Sequence, residues 1–203
     1  MAGPYQLHRK SPPVIVVPYR PEWPAEFRRR AAEMRAVLGD TALRIDHIGS
    51  TSVPGLAAKD IIDVQVTVRD LGDNEPWTAR FKAAGFQPRP DIQADHVPPW
   101  FQGDPAEWAK RYVREPATEQ RTHIHIRVAG RENQRFALLF RDFLRAQSRF
   151  AALYALAKQR LSELFPDSID DYLYVKEPVI DLIISAAEDW AVATRWAPGP
   201  SDA

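Results

Sequence analysis

Three stretches of this sequence carry residue types that could hold a phosphate and a metal ion. The first, Asp46-His47-Ile48-Gly49-Ser50-Thr51-Ser52-Val53-Pro54-Gly55-Leu56-Ala57-Ala58-Lys59, reads as a short strand broken at Gly49, a turn of small hydroxyl residues and a lysine. It leads into Ile61 to Val68, an apolar run that carries one acid, Asp63. Glycine and small side chains let backbone amides approach an anion, hydroxyls add donors, and a nearby carboxylate can hold a metal bound to that anion. Gly49, Ser50, Thr51, Ser52 and Lys59 are therefore candidate phosphate ligands; the hydroxyls could equally cap a short helix opening near Pro54. The second stretch is His123-Ile124-His125, where alternation puts both imidazoles on one strand face. With Asp63 they form a candidate set for a divalent metal, Mg²⁺ or Mn²⁺ first, with Zn²⁺ also suited to imidazole. The third is Tyr172 with Lys176, four residues apart on one helix face, which either close over a nucleotide or pack ring against lysine stem.

These residues need strands and helices to position them. Leu43 to Ile48 and Ile61 to Val68 are rich in β-branched residues and read as strands. In the second, Val64, Val66 and Val68 alternate with Asp63, Gln65 and Thr67, so the polar three share one face. Trp108 to Val113 and Thr122 to Val128 read as a further pair, joined by a long turn rich in Pro, Thr and Gln, and Phe86 to Arg89 as a short strand. Trp23, Phe27, Ala31, Met34 and Leu38 recur at helical spacing up to Gly39, which makes Arg28-Arg29-Arg30 a solvated helix face. Pro76 to Ala84 reads as a helix closed by Gly85, Gln87 to Pro105 as mostly loop, and Val14 to Val17 as a candidate edge strand. Beyond Gly130 the pattern is helical, through Phe136 to Leu144, Phe150 to Leu164 and a last helix to about Trp190 that Pro178 either opens or kinks. Tyr154 with Lys158 and Arg141 with Asp142 read as packing and structural pairs. The expected fold is α+β, a mixed sheet with flanking helices and a helical C-terminal subregion. Residues 1–13 read as a disordered lead-in, 14–194 as one domain and 195–203 as a flexible tail.

Composition narrows the function classes. At 203 residues the chain can bury a sizeable core. Its 27 basic and 27 acidic residues cancel, which argues against a broad nucleic-acid surface. It has no cysteine, so a disulfide, a thiolate metal site and a cysteine nucleophile are excluded. No apolar run approaches the roughly 18 residues of a membrane span, and a cytoplasmic protein is the expectation.

His47 to Lys59 followed by Ile61-Ile62-Asp63 closely resembles the signature of the GrpB-like proteins, a group assigned to the nucleotidyltransferase (DNA polymerase beta-like) superfamily. The resemblance begins at Pro18-Tyr19-Arg20-Pro21-Glu22-Trp23-Pro24 and resumes at His123 to Ile126, Phe140 to Arg145, Tyr154 with Lys158, and Tyr172 with Lys176. It implies metal-dependent transfer of a nucleotidyl group from a nucleoside triphosphate to a small-molecule acceptor. In that pattern a Gly-Ser turn precedes two alternating acids on a strand; here Gly49, Ser50 and Asp63 match, and Gln65 stands at the second acid. Asp63 and His125 are then the expected catalytic pair, with Ser50 and Lys59 on phosphate. Asp60 follows Lys59 where family members usually have proline. Rival readings are a degenerate, binding-only nucleotide module, an accessory domain working beside a metabolic kinase, and a phosphoester hydrolase. The second draws on GrpB-like domains fused to dephospho-coenzyme A kinase, a link to coenzyme A metabolism.

Overall fold

The computed structural model describes residues 11–72, 75–116 and 121–203. The expected lead-in therefore lies, up to residue 10, outside the described residues, as does part of the long turn before Thr122. Helices α1 (Trp23–Leu38), α2 (Glu75–Ala83), α3 (Glu132–Ala146), α4 (Ser148–Leu164) and α5 (Ile169–Thr194) surround strands β1 (Arg44–Ile48), β2 (Ile62–Val68), β3 (Gln87–Pro88), β4 (Arg111–Arg114) and β5 (Thr122–Val128). The sheet order is β1-β2-β5-β4-β3. β2 and β5 run parallel, and the other neighbours are antiparallel. This is the α+β, mixed-sheet architecture that the resemblance implies, with helices gathered at the C-terminal end of the chain.

Alternation in β2 and β5 decides what each sheet face does. Val64, Val66, Val68, Ile124 and Ile126 are buried against Trp23, Phe27, Ala31, Met34 and Leu38 of α1 and Phe81 of α2, forming the main core. Each large apolar side chain removed from water there contributes about 2 kcal/mol. The opposite face presents Asp63, Gln65 and Thr67 in parallel register with His123, His125 and Arg127. α3, α4 and α5 build a second core around Leu139, Phe143, Tyr154 and Ile184. Ser168 caps α5 by accepting from the Asp171 amide, and Pro178 lies inside that 26-residue helix, so Tyr172 and Lys176 sit on it rather than before it. No helix among the described residues is long and apolar enough to cross a membrane.

Several local expectations are corrected. Arg30 is fully buried and paired with Glu33 at 2.8 Å, because the stripe that buries Phe27, Ala31 and Met34 also includes position 30; Arg28 and Arg29 remain exposed. Val14 to Val17 forms only a single bridge, Val17 to Ala58. Trp108 ends a 3-10 turn, Pro105–Trp108, ahead of β4, because Pro105 sets a turn after the Asp104 cap. No helix opens at Pro54: Ser50–Ser52 make a 3-10 turn instead. The segment read as a flexible tail lies along β1. Ser201 Oγ accepts from the Ile45 amide at 2.9 Å, and the Asp202 carboxylate accepts from the His47 amide at 2.9 Å and from Arg141 at 2.7 Å.

Gly49 joins this scaffold to the polar face. Its φ is +69°, and a Cβ there would fall 2.3 Å from Asp63 Oδ2. Gly49→Ala should lower stability by about 2 kcal/mol, a midpoint drop of roughly 5 °C at this size. Thermal unfolding checks the loss, and the chemical shifts of the His123 and His125 rings should move with the displaced carboxylate.

Candidate functional site

Parallel pairing of β2 with β5 places Asp63 beside His123. Asp63 Oδ1 lies 3.3 Å from His123 Nδ1 and 3.7 Å from His125 Nε2. The three donor atoms lie within 4.8 Å of one another, a separation that one ion can bridge. Burial alone would raise the Asp63 carboxyl, but the hydrogen bonds of His123 and His125 outweigh it and hold it well below the usual carboxylate range. Burial and the Lys110 ammonium push the His125 imidazole down to about 3, so its ring is neutral. Lys110 Nζ and Arg127 Nη2 each stand 3.3 Å from His125 Nδ1. Both are donors, so the Nδ1 lone pair faces them and the Nε2 hydrogen faces Asp63. A metal at Nε2 fits this donor set only as that proton leaves, which couples binding to proton release.

The cluster opens into a cavity of about 500 Å³ whose lining includes Ser50, Lys59, Asp63, His125, Lys158 and Lys176. Lys59 and Lys176 flank the Tyr172 ring, their ammonium nitrogens 5.3 and 5.8 Å from its centroid. Burial and the nearby Lys176 charge push Lys59 down to about 8. Burial lowers Lys176 as well. Lys158, buried and then repelled by Lys176 and Lys59, lies well below the ordinary lysine value. Its Nζ donates to Ser50 Oγ at 2.8 Å and to the Ala57 carbonyl at 2.5 Å. Three amines crowded together and partly desolvated disfavour one another's charge, and an anion placed among them would relieve that repulsion. The Asp60 carboxylate, next to Lys59, is held by Arg20 and by Trp23 Nε1.

Other expected site residues are engaged within the protein. Thr51 Oγ1 donates to the Ile61 carbonyl and accepts from His47 Nε2 at 3.1 Å. His47 is stacked on Phe27, with its pKa pushed down to about 3 by burial. Ser52 Oγ donates to the Gly49 carbonyl at 2.6 Å and borders a separate depression with Phe27 and Arg145. Gln65 is fully buried, accepting from Arg127 at 2.6 Å and donating to the Gln134 carbonyl at 3.2 Å. The position of the second acid is thus closed by an arginine. The pair Arg141 and Asp142 is structural, as expected, with Nε to Oδ1 at 2.7 Å.

Two further acids and bases were not legible. Asp95, in the proline-rich loop, is gripped by Arg127 Nε and Nη2 at 2.8 Å, by Lys110 at 2.7 Å and by Asn133 at 3.0 Å. Burial would raise its carboxyl, but Arg127 and Lys110 prevail and keep it ionised. The next residue, His96, reaches Asp181 of α5 at 3.2 Å. Lys158 read as packing; its spacing from Tyr154 was visible, but its approach to Ser50 depends on how α4 docks.

The family model described as GrpB protein matches residues 13–186. A protein of Mycolicibacterium paratuberculosis named dephospho-CoA kinase is 39% identical over 198 residues, covering 92% of this chain and 49% of that protein. A UPF0157 protein of Halalkalibacterium halodurans is 31% identical over 185 residues, 91% of this chain and 87% of its own. The crystal structure of conserved protein GrpB from Enterococcus faecalis has a TM-score of 0.70 at 30% identity, covering 87% of this chain and 99% of that one. The chain spans about half the length of the curated dephospho-CoA kinase relatives it matches. A family model over most of the chain, together with relatives at these identities, means that the chain belongs to the GrpB family.

Proposed function

We propose that the chain binds a nucleoside triphosphate with a divalent metal and transfers its nucleotidyl group to a small-molecule acceptor. The observation that carries this reading is the meeting, in one cavity, of Asp63, His123 and His125 with the ammonium groups of Lys59, Lys158 and Lys176. Asp63 and the two imidazoles would hold the ion, and the imidazole content favours Mn²⁺ or Zn²⁺ over Mg²⁺. When bound, the metal supplies charge stabilisation at the phosphate oxygens. The rest falls to this chain's side chains: Lys59 and Lys176 bind the outer phosphates, Ser50 contacts the reacting phosphate, and Tyr172 holds both lysines at fixed spacing. Nothing is required of Thr51 and Ser52 beyond shaping the turn, since their hydroxyls are already engaged.

A second reading, binding without turnover, is favoured by Gln65. Arg127 occupies its side-chain oxygen, so only one carboxylate faces the ion. The names of the longer relatives suggest dephospho-coenzyme A, itself an adenosine nucleotide, as the ligand for a binding-only domain beside a kinase. The two readings separate in one titration. Thermal unfolding with ATP, GTP, CTP or UTP and Mn²⁺ should stabilise the chain by about 2.7 kcal/mol at a hundredfold excess over the dissociation constant, and Asp63→Asn should abolish the metal-dependent part. Stabilisation by dephospho-coenzyme A without metal, unchanged in Asp63→Asn, would instead select the binding-only reading.

Lys59 gives the site a pH signature. A polyanion favours the charged amine, and free Lys59 loses its proton near 8. Triphosphate affinity should therefore hold below pH 8 and fall as the pH rises past it. Calorimetric titration from pH 7 to 9.5 measures the slope, and Lys59→Met should both weaken binding and flatten the decline.

A further inference from the structure

β1 is the last strand at one end of the sheet, and along its outer side lie residues 199–203. These residues meet β1 through side chains. Ser201 Oγ accepts from the Ile45 amide at 2.9 Å and donates to the Ile45 carbonyl at 2.8 Å. The next residue, Asp202, accepts from the His47 amide at 2.9 Å. The same carboxylate oxygen lies 2.7 Å from Nη1 of Arg141, a side chain 3% exposed that also donates to the His47 carbonyl at 3.2 Å. Arg44 Nη2 donates to the Gly199 carbonyl at 3.2 Å. Upstream, Trp196 Nε1 donates to Asp142 of α3 at 3.2 Å, and Pro198 and Pro200 stiffen the link between that anchor and the edge. A strand added to a sheet edge bonds through its backbone, which every sequence offers. This edge is met by a hydroxyl and then a carboxylate, so it selects on side-chain chemistry. A buried guanidinium and a backbone amide on one carboxylate oxygen are charge-assisted bonds that a neutral side chain does not reproduce.

We propose that the outer edge of β1, with Arg44 and Arg141, is a recognition site for a short acidic segment of the Ser-Asp type, and that residues 199–203 are its ligand, held in cis. Tethering at Trp196 gives this segment an effective concentration on the order of millimolar at the edge. It therefore holds the site against free segments of the same chemistry and yields it where its own serine and acid are removed. Its occupancy also keeps the outer groups of β1 from serving as a template for another chain's strand. The inference stands apart from the nucleotide reading, because Arg44, Ile45, His47 and Arg141 do not line the cavity that holds Asp63 and Lys59.

The test uses the full chain carrying Ser201→Ala and Asp202→Ala together, which leaves Trp196 in place, and the peptide Gly-Pro-Ser-Asp-Ala, capped at both ends so that the aspartate is its only charge. Hydrogen exchange at the Ile45 and His47 amides should be about tenfold faster in the double variant than in the wild type, and saturating peptide should restore the wild-type rates. The wild type, whose edge is filled, should bind the peptide at least about tenfold more weakly. A Gly-Pro-Ser-Asn-Ala peptide should restore neither amide. Asp202→Asn alone, which keeps the side chain's shape, should speed exchange at His47 more than at Ile45, and it carries the test where the double variant does not fold. Unchanged exchange at both amides overturns the inference. An edge that opens yet takes up no peptide makes these residues a fixed strap and overturns recognition. Equal binding of the asparagine peptide overturns the role of Arg141. Protection that returns with rising protein concentration and a doubled mass identifies a second copy's β1 as the occupant and overturns the acidic segment.

Discussion

An ionised carboxylate drawn out of bulk water must be met by positive charge or by donors, and Asp63 is the point at which this fold meets that requirement. Its two imidazole partners come from β5, and they reach it only because β5 lies parallel to β2 with His123 opposite Asp63. Much of the polar sheet face follows from the same demand. His125 is held neutral and oriented by Lys110 and Arg127, and these in turn are neutralised by Asp95. One carboxylate is thus supported, through a neutral imidazole, by two cations that answer a second carboxylate. Removing Asp95 would leave the buried Lys110 and Arg127 without the carboxylate they share, a costly defect in a protein interior.

The cavity has a second, opposite imbalance. Burial lowers the proton affinity of Lys59, Lys158 and Lys176, the charge of Lys176 lowers Lys59 and Lys158 further, and Asp63 pulls all three the other way. A site with this surplus of positive potential favours a ligand of several negative charges over a single carboxylate or phosphate. A chain of zero net charge can still hold such a cavity, because net charge sums over the whole molecule while a cavity gathers a few side chains. Net charge excluded a broad basic face but could not report on a pocket formed by residues a hundred positions apart.

What the sequence made visible was periodic or local. Alternation in Ile62 to Val68 and Thr122 to Val128 assigned Asp63, His123 and His125 to one face, and the glycine at 49 marked the turn beside them. The helical stripe of α1 was equally clear, although it also took in Arg30, where a run of three arginines masked a buried position. Tertiary features were not legible. Asp95 sits among prolines in a loop with no periodicity, and only the arrangement of that loop over β5 brings it to Arg127. Gln65 looked like a lost metal ligand; its burial against Arg127 and Gln134 shows an architectural amide that its strand position could not distinguish. Lys158 had the right spacing from Tyr154 for packing, and its contact with Ser50 spans 108 positions.

The parallel register of β2 and β5 also bears on how the molecule comes into being. Antiparallel neighbours can zip from a hairpin, whereas these two strands are separated by α2, β3 and β4 and must close a long loop before their first hydrogen bond forms. Asp63 and His123 are therefore strangers in any partly folded chain, even one in which both hydrophobic cores have begun to collapse. The cluster belongs to the complete topology and to no fragment of it, so a segment that retained β1, the Gly-Ser turn and β2 would keep the family's signature yet lack both imidazoles that meet Asp63.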